Sequence, residues 1–299
     1  MNIVITGAGG MLGSTLALDF AKRSGFSVYA LTGNVERTLS VFSGKAGIHV
    51  IGNSDACELI RDVNPDFLVH CAFSRGNDSA SLCSALDFAG EIFSLVSEEC
   101  ATVNVSSQSV YCPERRMPVT EKGGDVAPAT SYGVAKYSAE IMLARFCRSR
   151  FKTNLRLASL LAPSFEDRFV NKMVRSGRER GLVEIAGPNN LFGFLSVQDA
   201  ASGIEAMLGS SLHGWEGIYN LGPKEQGLSL ETIGKCVAER LAIKGHPCRF
   251  VRSGLGECTR SSALDSGLFE RDFGWCSSLN LAEIVDSIIA FQDAVSQDE

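Results

Sequence analysis

The sequence is poor in the residues from which metal centres and disulfide scaffolds are built. Only four of its 299 residues are histidine, and its ten cysteines are scattered without a C-x-x-C pair or a Cys/His spacing typical of zinc. These absences argue against a disulfide-rich domain and predict no metal site. We expect the cysteines to act as small buried apolar residues in a reducing compartment.

Long apolar runs and excess positive charge are also missing. No run of about 18 apolar residues occurs, and Met1 and Asn2 lead straight into a strand pattern, which predicts a cytoplasmic protein without a membrane segment. The net charge of −6 gives no electrostatic reason to approach nucleic acid or an anionic membrane. The length and the 45% hydrophobic content suffice for one large domain or two unequal lobes.

The first forty residues read as a β-α-β unit. A short apolar run at 3–5 is typical of a buried parallel strand, and it breaks at the glycine-rich stretch 6–13. Apolar spacing becomes helical over 12–20, and 26–31 gives the next strand. A glycine loop between a strand and a helix is the context of a dinucleotide-binding site.

Each loop glycine has a physical role in such a site. Gly7 would allow the tight turn, Gly10 would let backbone N–H groups approach a pyrophosphate, and Gly13 would let the helix pack close to the strand. The N-terminus of the helix would then face the anion.

The end of the second strand bears on the choice between NAD and NADP. A carboxylate there would bind the ribose 2′-OH of NAD, whereas an arginine would accept the 2′-phosphate of NADP. The sequence has no carboxylate at this strand tip, and Arg37 follows within one short loop. This favours NADP over NAD, although Thr32 and Asn34 could serve either nucleotide.

The alternation of strands and helices continues through the first half of the chain. Strands are predicted at 48–51, 65–72 and 101–105, with helices at 55–63 and 79–100. This pattern predicts an α/β fold with a doubly wound parallel sheet of the Rossmann type. Asn53 and Asp55 follow the third strand, where they could read an adenine edge or serve as turn or N-cap residues.

A tyrosine and a lysine lie four residues apart in the stretch Ser131 to Lys136. On a helix beginning near Ser131, Tyr132 and Lys136 would share one face. A phenol with a pKa of about 10 is a poor proton shuttle at neutral pH, but a neighbouring cation favours the phenolate. This spacing predicts a proton donor and acceptor at Tyr132. The serine cluster 106–109 ends the fifth strand, at the sheet edge that also carries the glycine loop.

Together these segments resemble the ordered motifs of the extended short-chain dehydrogenase/reductases, the group of NAD-dependent epimerases and dehydratases. Tyr132 follows Ser107 by 25 residues, which is similar to the family's serine-to-tyrosine spacing. The motifs that carry the resemblance are 6–13, 65–72, 105–111, 132–136, 156–163, 194–199 and 218–222.

The resemblance implies roles for individual residues. Tyr132 would be the catalytic acid and base, Lys136 would bind the nicotinamide ribose and lower the phenol pKa, and Ser107 would hold the substrate oxygen. It also implies cofactor contacts from residues within or beside these motifs, namely Met11, Leu12, Cys71 and Ala72, together with Tyr132 and Lys136.

The resemblance further implies how the chain is divided. Residues 1–162 would form the dinucleotide-binding domain, with 194–222 returning to its sheet, and the rest of 163–299 would form a smaller, partly interleaved substrate lobe. The helices predicted at 79–100 and 132–148 would pair across the two-fold axis of a homodimer.

Departures from the family's motifs reduce the number of reactions that this chain is expected to catalyse. Sugar 4,6-dehydratases of the family carry Thr-Asp-Glu where this chain has Ser107-Gln108-Ser109, so the acid and base of water elimination are missing. The 3,5-epimerase/reductases place a cysteine at Ser109 and use a downstream histidine that this chain lacks. The remaining reactions are 4-keto reduction and 4-epimerisation of a nucleotide-linked sugar, and the chain most resembles the 4-keto reductases.

One departure concerns the substrate. Phe192 stands where many nucleotide-sugar members have an arginine that clamps the diphosphate. Phosphate could instead be bound by cations in a helix-like stretch early in the substrate lobe, namely Lys172, Arg175, Arg178 and Arg180. Each of these cations could equally belong to a solvated face of the helix. The alternatives are a reductase of a non-sugar ketone or aldehyde, and a cofactor-binding sensor or scaffold without turnover.

Overall fold

The computed structural model describes residues 1–73, 78–115, 117–258 and 260–298. These residues contain thirteen strands and ten α-helices. The strands are β1 (Asn2–Thr6), β2 (Ser27–Thr32), β3 (Ile48–Gly52), β4 (Phe67–His70), β5 (Ala101–Ser107), β6 (Lys152–Leu157), β7 (Ser159–Leu161), β8 (Leu182–Pro188), β9 (Leu191–Phe192), β10 (Phe194–Ser196), β11 (Ile218–Leu221), β12 (Leu228–Ser229) and β13 (Arg249–Gly256). The helices are α1 (Met11–Ala21), α2 (Val35–Val41), α3 (Ala56–Val63), α4 (Ser79–Leu95), α5 (Ser131–Phe146), α6 (Phe169–Arg180), α7 (Val197–Leu208), α8 (Leu230–Ile243), α9 (Gly267–Phe273) and α10 (Leu281–Asp298).

Seven of the strands form one parallel sheet with the order β11-β6-β5-β4-β1-β2-β3. Successive residues of β1 point to opposite faces: Ile3 and Ile5 join the core beneath α1 and α7, whereas Val4 joins the core beneath α3, α4 and α5. Both faces are therefore covered, which explains why the strands are continuous apolar runs. The predicted doubly wound sheet of the Rossmann type is confirmed.

A second, smaller core lies in the C-terminal half. The parallel pair β8 and β13 packs with α6, α8 and α10 around a cluster that includes Val183, Ile233 and Ile288. The buried carboxylate of Asp199 at the start of α7 ties this half together, because it accepts hydrogen bonds from the backbone N–H and hydroxyl of Ser278 and from the N–H of Leu279. The chain also returns to the main sheet, since β11 pairs with β6.

Two expectations need correction. The helix predicted over 79–100 ends at Leu95, because Val96 takes an extended conformation and sinks into the core before a polar turn. All ten cysteines are free as expected, but only Cys100 and Cys147 are fully buried, whereas Cys83 and Cys276 are exposed.

Neither a membrane span nor a metal cluster is found in the described part of the chain. None of its helices is long and apolar enough to cross a bilayer. Within the same residues, no group of three histidine, cysteine, aspartate or glutamate side chains could hold a metal ion.

A buried ion pair fixes α5 to the main sheet. Glu140 of α5 and Arg156 of β6 are 4% and 1% exposed, and the guanidinium donates to both carboxylate oxygens, at 2.9 Å from Nε and 2.6 Å from Nη2. The hydroxyl of Ser106 on β5 donates a third hydrogen bond to Glu140, at 2.5 Å. Burial alone would lower the pKa of Arg156, but Glu140 outweighs it and holds this pKa above its usual value. Arg156 therefore stays charged.

We expect Arg156→Met to lower the free energy of unfolding by about 3–5 kcal/mol, because it leaves the Glu140 carboxylate buried without a counter-charge. Urea unfolding of the purified protein measures the loss. The control is Arg150→Met, which breaks an exposed pair with Glu99 and should have little effect. Replacing both partners, in Glu140→Leu/Arg156→Met, should restore part of the loss. Equal effects of Arg156→Met and Arg150→Met would contradict this interpretation.

Candidate active site

The turn from β1 into α1 has the geometry of a backbone cradle for an anion. Gly7 adopts a φ of +66°, in the left-handed region that favours glycine, and α1 begins directly after Gly10. A Cβ on Gly13 would lie 2.4 Å from the carbonyl oxygen of Gly7, so only glycine allows the helix to approach the loop this closely. The roles predicted for Gly7 and Gly13 in the turn and in packing follow from these distances.

A cavity of about 1420 Å³ runs from this loop along the carboxyl edge of the sheet. Most of the predicted site residues line it, including all three predicted catalytic residues. They are Gly7, Gly10, Met11, Leu12, Gly13, Thr32, Asn34, Arg37, Cys71, Ser107, Tyr132 and Lys136.

Three predicted cofactor residues are not part of the cavity wall. Ala72 lies behind the loop, where its N–H donates to the hydroxyl of Thr6 at 3.1 Å. Asp55 is exposed and makes no side-chain cap for α3. Asn53 begins a short 3-10 turn, and its Oδ1 is buried without a hydrogen-bond partner among the described residues. All three residues follow a strand end in the sequence, but in the structure they do not line the cavity.

Arg37 and the tip of β2 line the far end of the cavity. Asn34 caps α2, since its Oδ1 accepts from the N–H of Arg37 at 2.9 Å. The hydroxyl of Thr32 is engaged with that of Thr38 at 2.9 Å. Arg37 is exposed and forms no ion pair with any described residue. Its guanidinium is available to an anion entering this end.

The other end of the cavity is formed by the first turns of α5. The hydroxyl of Thr130 accepts from the N–H of Gly133 at 3.0 Å, so the helix begins at Ser131 as predicted. A Cβ on Gly133 would lie 2.4 Å from the carbonyl oxygen of Ser109. This close contact brings Tyr132 beside the serine cluster at the end of β5.

Lys136 is buried next to Tyr132. Its Nζ donates to the carbonyl oxygen of Val105 at 2.8 Å, and lies 5.9 Å from the centroid of the Tyr132 ring. Phe73 covers both groups: its centroid is 4.0 Å from Nζ, and its ring meets the Tyr132 ring edge-on at 5.6 Å. Burial lowers the pKa of Lys136 to about 8, against smaller opposing effects of Cys71 and Glu140.

The structure separates the roles of the three serines at the end of β5. Ser106 is buried and engaged with Glu140, so it does not compete for a substrate. Ser107 and Ser109 remain at the cavity, where the two hydroxyl oxygens are 3.2 Å apart and the N–H of Ser109 donates to the Ser107 hydroxyl.

Several cavity residues were missed from the sequence. Phe73 follows the fourth strand, so the rule that ligands bind beyond the carboxyl ends of strands could have found it. The wall residue Gln108 contacts Arg115, which does not line the cavity, across a loop for which no spacing rule exists. The segment 164–168 also lines the wall, and its irregular backbone gives no periodic signal.

These residues fit a nicotinamide dinucleotide. The glycine loop leaves its surface open to a pyrophosphate, because side chains are absent where a ligand backbone must come close. At the other end, Lys136 has three N–H donors and uses one on Val105, which leaves donors for a ribose hydroxyl.

The depressed pKa of Lys136 has a consequence for stability. An unfolded chain binds the lysine proton up to its ordinary pKa of 10.5, whereas the folded chain releases it near 8. Between these values the unfolded state binds more protons, so folding stability rises with pH. We expect the unfolding free energy of the wild type to rise relative to Lys136→Met between pH 8 and pH 10, by at most about 1.4 kcal/mol per pH unit.

Urea unfolding of both proteins at several pH values tests this expectation. Other titrating groups cancel in the difference between the two proteins. A difference that stays constant from pH 7.5 to pH 10 would show that Lys136 is not shifted.

Comparison with known proteins places this geometry in context. The chain has no significant match among curated proteins. Among solved structures it is similar to UDP-glucuronic acid 4-epimerase from Bacillus cereus, solved with UDP-glucuronic acid and NAD, with 19% identity, 99% of this chain and 100% of the other covered, and a TM-score of 0.81. It is also similar to UDP-N-acetylglucosamine 4-epimerase from Bacillus cereus, with 20% identity, coverages of 98% and 96%, and a TM-score of 0.78.

A third similar structure is dTDP-glucose 4,6-dehydratase from Bacillus anthracis in complex with NAD, with 16% identity, coverages of 99% and 98%, and a TM-score of 0.80. At these identities the likeness concerns the fold. The family model described as the NAD dependent epimerase/dehydratase family matches residues 3–222. The chain therefore belongs to the NAD-dependent epimerase/dehydratase family, a family of enzymes of the extended short-chain dehydrogenase/reductase type.

Proposed function

We propose that this protein is an NAD(P)-dependent oxidoreductase or epimerase that acts on a nucleotide-linked sugar, by 4-keto reduction or 4-epimerisation. The observation that carries the proposal is the convergence of Ser107, Tyr132 and Lys136 at one end of a cavity whose other end is the glycine loop. A dinucleotide lying along this cavity would bring its nicotinamide to the tyrosine.

The three residues have distinct tasks in this proposal. When bound, the nicotinamide supplies a carbon that exchanges a hydride with the substrate. The Tyr132 hydroxyl gives a proton to the substrate oxygen or takes one from it, and the Ser107 hydroxyl holds that oxygen by a second hydrogen bond. Lys136 favours the phenolate by its charge and binds the nicotinamide ribose.

The serine cluster favours these reactions over water elimination. Where the family's dehydratases carry an acid and a base, this chain has the amide of Gln108 and the hydroxyl of Ser109, and neither ionises near neutral pH. The substrate class draws support from similar proteins, because solved relatives of the fold bind UDP-glucuronic acid and UDP-glucose with NAD.

A second candidate is reduction of a ketone or aldehyde without a nucleotide. Phe192, which stands at the position of the family's phosphate-clamping arginine, packs against Phe169 and Phe194 with ring centroids at 5.5 Å and 5.8 Å, and those two rings also contact each other. The cations predicted as substitutes are mostly engaged with carboxylates: Lys172 with Asp167, Arg175 with Glu166, and Arg178 with Asp293. Phe192 supplies no cation, and these three cations are already paired, which favours a substrate that lacks a diphosphate.

We also propose a homodimer. Helices α4 and α5 pack side by side, and the outer face of α5 exposes the apolar side chains of Val134 and Ile141 at 51% and 53%. Burial of this face against a second copy would remove apolar surface from water.

For the cofactor we propose a preference for NADP, with Arg37 binding the 2′-phosphate. Arg37→Met should weaken NADPH binding about tenfold or more and leave NADH binding nearly unchanged, because only NADPH carries the extra phosphate. Fluorescence titration of both nucleotides measures the effect. Arg23→Met is the control, since Arg23 pairs with Glu205 away from the cavity. Equal losses for both nucleotides, or none, would count against this role.

The proposed catalysis is tested at Tyr132. Tyr132→Phe should retain cofactor affinity but lose about 100-fold or more of the turnover, because the ring stays while the proton donor is removed. The measurement is cofactor absorbance during a screen of keto-sugar nucleotides, sugar nucleotides and simple ketones. Tyr137→Phe, one helical position beyond Lys136 and outside the cavity wall, should keep its activity.

The screen also separates the remaining alternatives. Turnover of simple ketones alone would favour the second candidate. Tight cofactor binding without any turnover would favour a sensor or scaffold. A Tyr132→Phe protein that works at close to the wild-type rate would remove the tyrosine from the mechanism.

A further inference from the structure

The loop after β5 carries an arginine that contacts the cavity wall from behind. Nη2 of Arg115 donates to Oε1 of Gln108 at 3.2 Å, and Nη1 donates to the carbonyl oxygen of Cys112 at 2.6 Å. The guanidinium lies 5.5 Å from the centroid of the buried Tyr111 ring, and its Nε is buried without a partner among the described residues. Arg115 is thus held in place by contacts that do not involve the cavity.

This contact fixes which way the Gln108 amide points. A guanidinium has only donors, so the atom of Gln108 that faces Arg115 must be the carbonyl oxygen. The NH2 group is then directed to the other side, where Nε2 lies 3.4 Å from the hydroxyl oxygen of Ser109. Gln108, Ser107 and Ser109 all line the cavity beside Tyr132.

The positive charge near the Gln108 amide strengthens its preference for an acceptor oxygen. No carboxylate among the described residues pairs with Arg115, so none of them neutralises its positive charge through an ion pair. A cation behind an amide donor favours an oxygen that accepts hydrogen bonds, most of all one that carries negative charge.

We propose that Gln108 is a specificity-determining residue, held as a hydrogen-bond donor by the positioning residue Arg115. It would recognise an acceptor oxygen, a carboxylate or a carbonyl, on the substrate next to the carbon whose oxygen Ser107 and Tyr132 hold. A hydroxymethyl group at the same place would bind less well. This inference rests on the proposed function for the place of the substrate, but it concerns recognition and not hydride transfer.

The test compares two probes that differ only at this position. UDP-glucuronic acid carries a carboxylate where UDP-glucose carries a hydroxymethyl group, and calorimetry gives the affinity of each for the NAD-loaded protein. We expect UDP-glucuronic acid to bind about tenfold more tightly or better, which is the effect of one hydrogen bond to a charged group. Gln108→Leu should abolish the preference, and Gln108→Glu should reverse it by presenting an acceptor.

The role of Arg115 is tested by the same ratio, the affinity for UDP-glucuronic acid divided by the affinity for UDP-glucose. Arg115→Met should reduce the preference as Gln108→Leu does, whereas Arg115→Lys, which keeps the charge without the fork, should keep part of it. A general folding defect would weaken both probes equally and leave their ratio unchanged. Arg148→Met, at an exposed position of the same charge, should leave both affinities unchanged.

Each result decides the matter. The proposal is overturned if the wild type does not prefer UDP-glucuronic acid to UDP-glucose, if Gln108→Leu retains the preference, or if UDP-glucuronic acid does not bind. Cofactor oxidation or reduction is followed separately, so a preference without turnover would sink the proposed function and leave this assignment standing.

Discussion

The bidentate ion pair between Glu140 and Arg156 is the interaction on which the site geometry depends. Tyr132, Lys136 and Glu140 are spaced by four residues, so they lie along one face of α5 and point to the sheet. Glu140 is bound at the far end of this row by β5 and β6 together, through Ser106 and Arg156. Fixing one end of a rigid helix fixes the positions of the other two side chains. The carboxyl ends of the strands thereby determine where the Tyr132 side chain lies.

The same arginine connects the helix to the C-terminal half of the chain. Its guanidinium lies 4.6 Å from the centroid of the Tyr111 ring, and the Tyr111 hydroxyl donates to Oδ1 of Asn220 on β11 at 2.8 Å. The N–H of Asn220 donates to Glu121, whose pKa is raised by burial. Tyr111 and Asn220 were recognised as motif residues in the sequence, and the structure gives them a structural task. They hold the returning strand against the site.

The sequence predicted the sheet well because buried parallel strands and glycine loops leave strong local patterns. The start of α5 and the convergence of Ser107 with Tyr132 at one edge of the sheet followed from such patterns. What it could not predict depends on side-chain direction. Ser106 and Ser109 look equivalent in sequence, but the alternation along β5 turns Ser106 into the protein, whereas Ser109 lies in the 3-10 turn after the strand, at the cavity. The contact between Arg115 and Gln108 spans a loop, where no periodicity relates sequence distance to spatial distance.

The surroundings of Lys136, which is buried beside Tyr132, determine how firmly the lysine holds its proton. An unpaired carboxylate one helical turn from Lys136 would hold the lysine proton firmly. Arg156 and Ser106 instead take up both oxygens of Glu140, so its attraction for Lys136 is weaker than the effect of burial. Burial also acts on Cys71, the other titratable neighbour, and raises its pKa to about 12. The net result is a lysine pKa near 8, close to the pH at which a proton relay through the neighbouring phenol would have to operate. Burial thus lowers the proton affinity of Lys136, while the buried ion pair sets the position of the helix that carries it.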